Sequence, residues 1–364
     1  MHPYKHIKNR EHWFKKTENE LVIPRFQIGK DEKIISAGSC FSRKIAGFLK
    51  KNNQYLITEN LDPKTFNFLD DLKSYPHIYI MNDAYNKAYE IACEKYNYGI
   101  FSARYDNIYT FRQLLQLLER AYGIFKPKDH VWIRDDGKLV DAFRPRINPD
   151  GYLSEKEVVI DRNNHFKYVR QAFESADVFI YTVGLTEAWL SAEDGAVYPL
   201  CAGVDGGYYT SQDYLFKNFN VKEIIEDFTK FYTLIKSVNN KIKIILTVSP
   251  TPIMATITGN HIISANCYSK SALRAACHDI VNIFYDVDYF PSYDLVMYGS
   301  FNGINNFKED CRTPSDDVII KVMDVFFESY FTNRNIEEVM GNKIDESPVK
   351  TGIMDICDNI LGEI

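Results

Sequence analysis

Short runs of β-branched and aromatic residues recur along this chain, separated by stretches with apolar positions three and four apart. Lys33–Ala37 is the first run, and it stops at Gly38. Ser42–Asn52 follows it with Ile45, Phe48 and Leu49 on one helical face. Tyr55–Thr58, Ala176–Val183, Lys241–Val248 and Ile283–Asp286 are four further runs. Lacking internal Gly and Pro, they read as buried parallel strands. Strands alternating with helices predict an α/β fold.

About 120 residues separate the second and third runs. Phe111–Gly123 is an amphipathic helix closed by Gly123. His130–Pro149 predicts a hairpin turning at Asp136-Gly137, and Glu155–Ile160 predicts an added strand. Gly195–Asn220 reads as a long loop, a length that in a compact domain points to function or disorder. Val221–Val238, Ser269–Asn282 and Asp316–Thr332 read as helices. The expected organisation is an N-terminal extension over 1–32, one domain over 33–332 with an insertion around 60–160, and a polar tail over 333–364.

Composition narrows the function classes. Of 364 residues, 45% are hydrophobic and 25% charged, which excludes disorder over most of the chain. The 25 Tyr, 24 Phe and 3 Trp can fill a large core or stack on flat ligands. A net charge of −6 leaves no basic surplus for a nucleic-acid partner. No apolar run approaches ~20 residues, so no membrane span is expected. The first residues, MHPYKHIKNREHW, contain no leader-like apolar segment. Seven scattered Cys without a CxxC pair argue against a disulfide framework and a structural zinc site, and for a cytoplasmic location. No cluster has metal spacing and no Gly-rich phosphate loop follows a strand, so no metal or required cofactor is expected.

The candidate chemistry lies where the first strand meets its helix, at Gly38-Ser39-Cys40. In open α/β sheets, ligands bind beyond the C-terminal strand ends. Gly38 allows a tight exit, and Ser39 or Cys40 then stands at the helix N-terminus. There the backbone N–H groups and the dipole stabilise a thiolate or a developing oxyanion. The same residues also suit a buried structural Cys in a β–α turn.

The wider sequence resembles the GSCFA domain family, whose motif stands here as Gly38-Ser39-Cys40-Phe41-Ser42, with Ser in place of the final Ala. Further similar blocks are 102–110 with Arg112-Gln113-Leu114-Leu115, Arg144-Pro145 with 147–149, and Thr182-Val183-Gly184-Leu185-Thr186-Glu187-Ala188-Trp189. Others are Thr247-Val248-Ser249-Pro250, 265–271 with Leu273-Arg274-Ala275, and 289–293. Together they reach from about 34 to 330.

That family is similar to the SGNH hydrolases, which implies a three-layer α/β/α, flavodoxin-like parallel sheet of order 2-1-3-4-5. It also implies acyl-ester chemistry: an esterase or O-acyltransferase on a carbohydrate or polysaccharide precursor. The partners would be a small acyl donor, acyl-CoA among the candidates, and a sugar acceptor. The resemblance places the nucleophile at Cys40, with Ser39 as the alternative one residue earlier. Cys40 is preferred because a helix-start thiolate is nucleophilic without strong base assistance. The implied oxyanion donors are Asn107 and Thr186, and the implied substrate contacts are Gly38, Gly184, Glu187, Trp189 and Arg112. The less favoured reading of Thr186-Glu187 is a helix cap. The pattern breaks at the base. Thr313 stands where SGNH hydrolases carry His, three residues after Asp310, and threonine is no general base near neutral pH. His261, beyond the fourth strand, is the replacement candidate; His77, His130, His165 and His278 read as structural. The alternative reading is a catalytically lapsed glycan-binding or assembly protein.

Overall fold

Four parallel strands form the central sheet of a computed structural model that describes residues 22–51, 53–62, 82–299 and 303–331. They are β1 (Ile34–Gly38), β4 (Val178–Val183), β8 (Lys243–Val248) and β9 (Val287–Tyr289), in the order β1-β4-β8-β9. Tyr55 adds a parallel bridge at Ile34, on the free side of β1. The order 2-1-3-4-5 is therefore present, with its second strand reduced to a bridge. In β1 and β4 every residue is buried, as both-face burial requires.

The helices are α1 (Cys40–Leu49), α2 (Asn82–Lys95), α3 (Phe111–Ala121), α4 (Glu155–Ser175), α5 (Val221–Val238), α6 (Ile262–Ile283), α7 (Ser292–Tyr298) and α8 (Asp316–Tyr330). Helix α3 packs between α4 and α5, and α6 packs on α5, while α8 packs on α7 and α1. The sheet between the two groups completes a three-layer α/β/α fold. Its main core includes Phe173, Phe179, Phe228, Phe231, Phe326 and Tyr330.

A second, smaller core lies over the strand ends. The expected hairpin forms from β2 (Val131–Ile133) and β3 (Leu139–Asp141). It packs against an antiparallel sheet of β5 (Glu187–Ser191), β6 (Val197–Tyr198) and β7 (Tyr214–Asn218), in the order β6-β5-β7. Trp132, Phe143, Tyr198 and Tyr214 fill the space between them.

Three local expectations are corrected. Glu155–Ile160 is not a strand but the start of α4, because Ser154 caps the helix by accepting from Glu157 N. Residues 195–220 are not one loop, since they carry β6 and β7. The last strand is not Ile283–Asp286 but Val287–Tyr289, because α6 runs through Ile283 and Tyr285 is exposed. The expected tail over 333–364, residues 1–21 and His77 lie outside the described residues. Residues 22–32 lie against the domain: Ile28 bridges Phe331, and Lys243 pairs with Glu32.

Buried charges tie the hairpin to α4. Arg144 contacts Asp161 and Asp141, Arg162 contacts Asp141, and Arg104 contacts Asp161. Desolvation alone would raise the Asp141 carboxyl, but the surrounding guanidiniums hold it well below the usual range. Asp161 is lowered in the same way. Carboxylates depressed in the folded state stabilise it above their unfolded pKa of about 4, and that stability is lost as pH falls toward the folded values. The urea midpoint is expected to fall steeply below about pH 4 in the wild-type protein. Arg144→Met should cost about 3–5 kcal/mol at pH 7, because it leaves buried carboxylates uncompensated. A pH 7 urea midpoint unchanged in Arg144→Met would contradict this account.

Candidate active site

The C-terminal ends of β1 and β4 meet at one point. Gly38 has φ +147° and its carbonyl accepts from Ile108 N at 2.9 Å. Ser39 N donates to Thr182 O at 3.0 Å, and Gly184 N donates to Tyr109 O at 2.9 Å. The segment Ile108–Tyr109 thus closes over both strand ends. Cys40 is the first residue of α1 and Ser39 its N-cap, as the sequence pattern predicts.

Ser39 does not act as a side-chain cap. Its hydroxyl makes no cap hydrogen bond and no other hydrogen bond to the protein, although the residue is only 3% exposed. The hydroxyl is left for whatever enters beside it. Gly184 permits this packing: a Cβ there would sit 2.8 Å from Ser39 Cβ. Thr186 Oγ1 is likewise buried without a hydrogen-bond partner, while Thr186 N donates to Ser269 Oγ at 3.1 Å. Unsatisfied buried hydroxyls are costly, and in a native site they call for a reason such as a ligand.

A cleft opens from Ser39. Its volume is about 170 Å³, against the 10–15 Å³ that one water requires by the same measure, so it admits an organic group. The walls are largely apolar: Leu185, Trp189, Leu200, Phe216, Ile253 and Met254 contribute to them. Polar atoms come chiefly from Ser39, Ser249, Glu187, Thr256 and Arg312. Burial raises the Glu187 carboxyl above its ordinary pKa, although Thr256 Oγ1 donates to it at 2.8 Å. Cys201 also lines the cleft, but burial pushes its thiol up to about 11, so it is no thiolate at neutral pH.

Of the expected site residues, Ser39, Gly184, Glu187 and Trp189 share this cleft. Gly38 lies directly behind it, in the strand. Thr186-Glu187 opens strand β5 and caps no helix. Asn107 lines a small polar recess with Tyr105, Arg144 and His165, and Pro199 borders both recess and cleft. Arg112 does not reach the cleft; it pairs with Asp227 of α5 and stacks on Phe219. His261 is exposed, does not line the cleft, and accepts from Ile263 N to cap its own helix. His165 is buried against Glu59, and His130 contacts Arg162. Thr313 keeps the tie to Asp310: its hydroxyl and its N–H both donate to that carboxylate. Its neighbour Arg312 lines the cleft.

Two features were missed from sequence. The far wall comes from 199–204, which no local pattern announces, and from 249–257, whose individual residues were not singled out although the loop leaves the C-terminal end of β8. Lys270 is 1% exposed and donates to Gly184 O at 2.7 Å. Its signal was available: it falls among the buried positions Ala265, Ser269, Ala272, Leu273 and Ala276 of α6, a face that should be uncharged.

A three-layer α/β/α fold with a serine–cysteine turn at the end of its first strand, opening on an apolar cleft, defines the class. The chain belongs to the GSCFA family, whose model matches residues 33–326. No curated protein matches it. Among the described residues, no helix is long and apolar enough to cross a membrane, and no group of three or more His, Cys, Asp or Glu could hold a metal ion.

Proposed function

We propose that the protein carries out acyl-ester chemistry, as an esterase or O-acyltransferase, through an acyl-enzyme at Cys40. The observation that carries this reading is the Ser39-Cys40 turn at a helix start on the edge of an apolar cleft. The first N–H groups of a helix lack intrahelical acceptors and suit an oxyanion. The unbonded hydroxyls of Ser39 and Thr186 are further donors in the same region. No cofactor is needed for such a reaction; an acyl-CoA would serve as donor substrate. The acceptor is a sugar hydroxyl of a polysaccharide precursor, a choice that rests on the resemblance, and Trp189 offers an aromatic face for it. The setting is the cytoplasm.

The cleft's apolar walls favour an acyl group longer than acetyl. Each buried methylene contributes about 0.8 kcal/mol, or about fourfold in kcat/KM, until the cleft is filled. A series of p-nitrophenyl esters from acetate to decanoate should show that rise and then a plateau, with Cys40→Ala as the blank. Activity equal to the blank for every ester would reject the reading. The second reading, a lapsed glycan-binding or assembly protein, rests on Thr313 at the histidine position. It predicts blank-level turnover together with sugar binding detectable by calorimetry.

A further inference from the structure

The reaction proposed above needs a group that gives and takes one proton: Thr313 cannot serve, and His261 stands outside the cleft wall. Among the described residues, the titratable side chains that line the cleft are Tyr109, Glu187, Cys201 and Arg312. Tyrosine and arginine side chains keep their protons at neutral pH, and burial pushes the Cys201 thiol up to about 11. Glu187 remains. It opens β5, and it is half-buried on the cleft's largely apolar wall. Thr256 Oγ1 donates to its Oε1 at 2.8 Å. Among the described residues no cation pairs with it: Lys217 of β7 is turned to Glu223, and Arg312 Nη2 reaches Pro252 O at 3.5 Å. Directly across the ladder stands Asn218, uncharged, with a buried Oδ1 that accepts no hydrogen bond. Registered neighbours share one face of a sheet, so this oxygen favours a carboxyl that carries its proton. Burial without a compensating cation raises the Glu187 carboxyl above its ordinary range, toward the pH at which an acid–base residue works.

We propose that Glu187 is the acid–base residue of the cleft; this rests on the acyl-ester reading. It begins protonated. The nucleophile, the Cys40 thiolate, bonds to the ester carbonyl carbon. As the carbon–oxygen bond breaks, Glu187 gives its proton to the departing alkoxide and becomes a carboxylate. The Thr256 hydroxyl stabilises that charge through its hydrogen bond. In the second half, the carboxylate takes the proton of the attacking water or sugar hydroxyl. The new carbon–oxygen bond forms, the carbon–sulfur bond breaks, and both the thiolate and the protonated Glu187 are restored.

The test compares the p-nitrophenyl and ethyl esters of one medium-chain acid. It uses the wild type, Glu187→Gln, Thr256→Val and Cys40→Ala, with circular dichroism to verify folding. A p-nitrophenolate departs without a proton, whereas an ethoxide needs one, so the two halves of the reaction separate. Glu187→Gln should release one equivalent of p-nitrophenol per enzyme at close to the wild-type rate. Its steady state should then fall about 100-fold or more, with the acyl adduct accumulating by mass spectrometry. With the ethyl ester it should lose about 100-fold or more and show no burst. Thr256→Val removes a hydrogen bond to the charged carboxylate and so favours the protonated form. The pH midpoint for loss of the acyl adduct should therefore rise by about half a unit or more in that variant. Thr256→Val carries the test if Glu187→Gln does not fold. A folded Glu187→Gln with wild-type turnover of both esters overturns the proposal and leaves the acyl-ester reading standing. So does a Thr256→Val midpoint equal to the wild type. So does a Glu187→Gln that loses the burst together with the turnover, for the carboxyl then serves structure or binding. Wild-type turnover no greater than that of Cys40→Ala for both esters removes the acyl-ester reading itself, and the role of Glu187 with it.

Discussion

Gly38→Ala is expected to cost about 3–5 kcal/mol of folding stability, a large share of the 5–15 kcal/mol of a typical domain. Two independent effects act at this position. Its φ of +147° lies where side-chain-bearing residues rarely go. An added Cβ would also stand 2.4 Å from Thr182 O and 2.9 Å from Thr182 N. Those atoms belong to β4, a fully buried strand paired on both sides, so they cannot retreat as a flexible side chain would. Urea denaturation followed by circular dichroism measures the effect. Gly47→Ala is the matched control: it lies inside α1, with nothing within 4 Å of its added Cβ. That variant should gain up to about 1 kcal/mol from helix propensity. A Gly38→Ala midpoint equal to the wild type would refute the close packing of β1 on β4 at the site.

The same packing explains what sequence pattern could and could not reveal. Strands β1, β4 and β8 were legible because burial on both faces forces continuous apolar runs, and those runs begin and end within two residues of the observed strands. The error at β9 arose because Ile283 and Phe284 are apolar yet close a helix: Phe284 is the C-cap of α6 and Ile283 is exposed. The error at α4 arose from Val158-Val159-Ile160, a β-branched triplet. The longer spacing of its buried residues, Val158, Arg162, His165, Val169 and Ala172, is helical. A window of six residues cannot distinguish these periods, whereas the full twenty-one residues can.

The site was legible at its local end and, through the family blocks, at Gly184, Glu187 and Trp189. The strand–turn–helix at Gly38-Ser39-Cys40 is a contiguous signal, and it formed as expected. The rest of the cleft wall is long-range: Pro199, Phe216, Pro252 and Arg312 come from separate segments. His261 followed a different logic. Its place after the fourth strand suggested a strand-end loop facing the site, yet the same place is also a helix start. The ring accepts the Ile263 N–H there and remains in solvent. Lys270 lay within a recognised block and on the buried face of α6; what the sequence did not show is its partner, the Gly184 carbonyl just beyond β4.

Cys40→Ala is expected to lower turnover of a medium-chain p-nitrophenyl ester by about 10⁴–10⁶-fold, the scale set by removing a nucleophile. Ser39→Ala is expected to lose only about 10²-fold, the scale of one oxyanion donor. It should also fold normally, because the Ser39 hydroxyl makes no hydrogen bond to the protein and caps no N–H. The ratio between the two variants decides which residue bears the acyl group. Mass spectrometry of the quenched reaction supplies a second readout: the acyl adduct should map to Cys40 and survive in Ser39→Ala. An adduct on Ser39 would exchange the two roles. The base can be examined in the same assay. His261→Ala should retain turnover within about threefold, since the ring is exposed and lies outside the cleft wall. A loss of 10²–10⁴-fold there, the usual weight of a positioned acid or base, would return the role to His261. Thr313→His tests the remaining position. Asp310 already accepts from the Thr313 hydroxyl and would meet an imidazole at 313 from the same side. If the wild type already has a proton acceptor, the new histidine should add less than about threefold; a rise of 10²-fold or more would show that the acceptor was lost with the histidine.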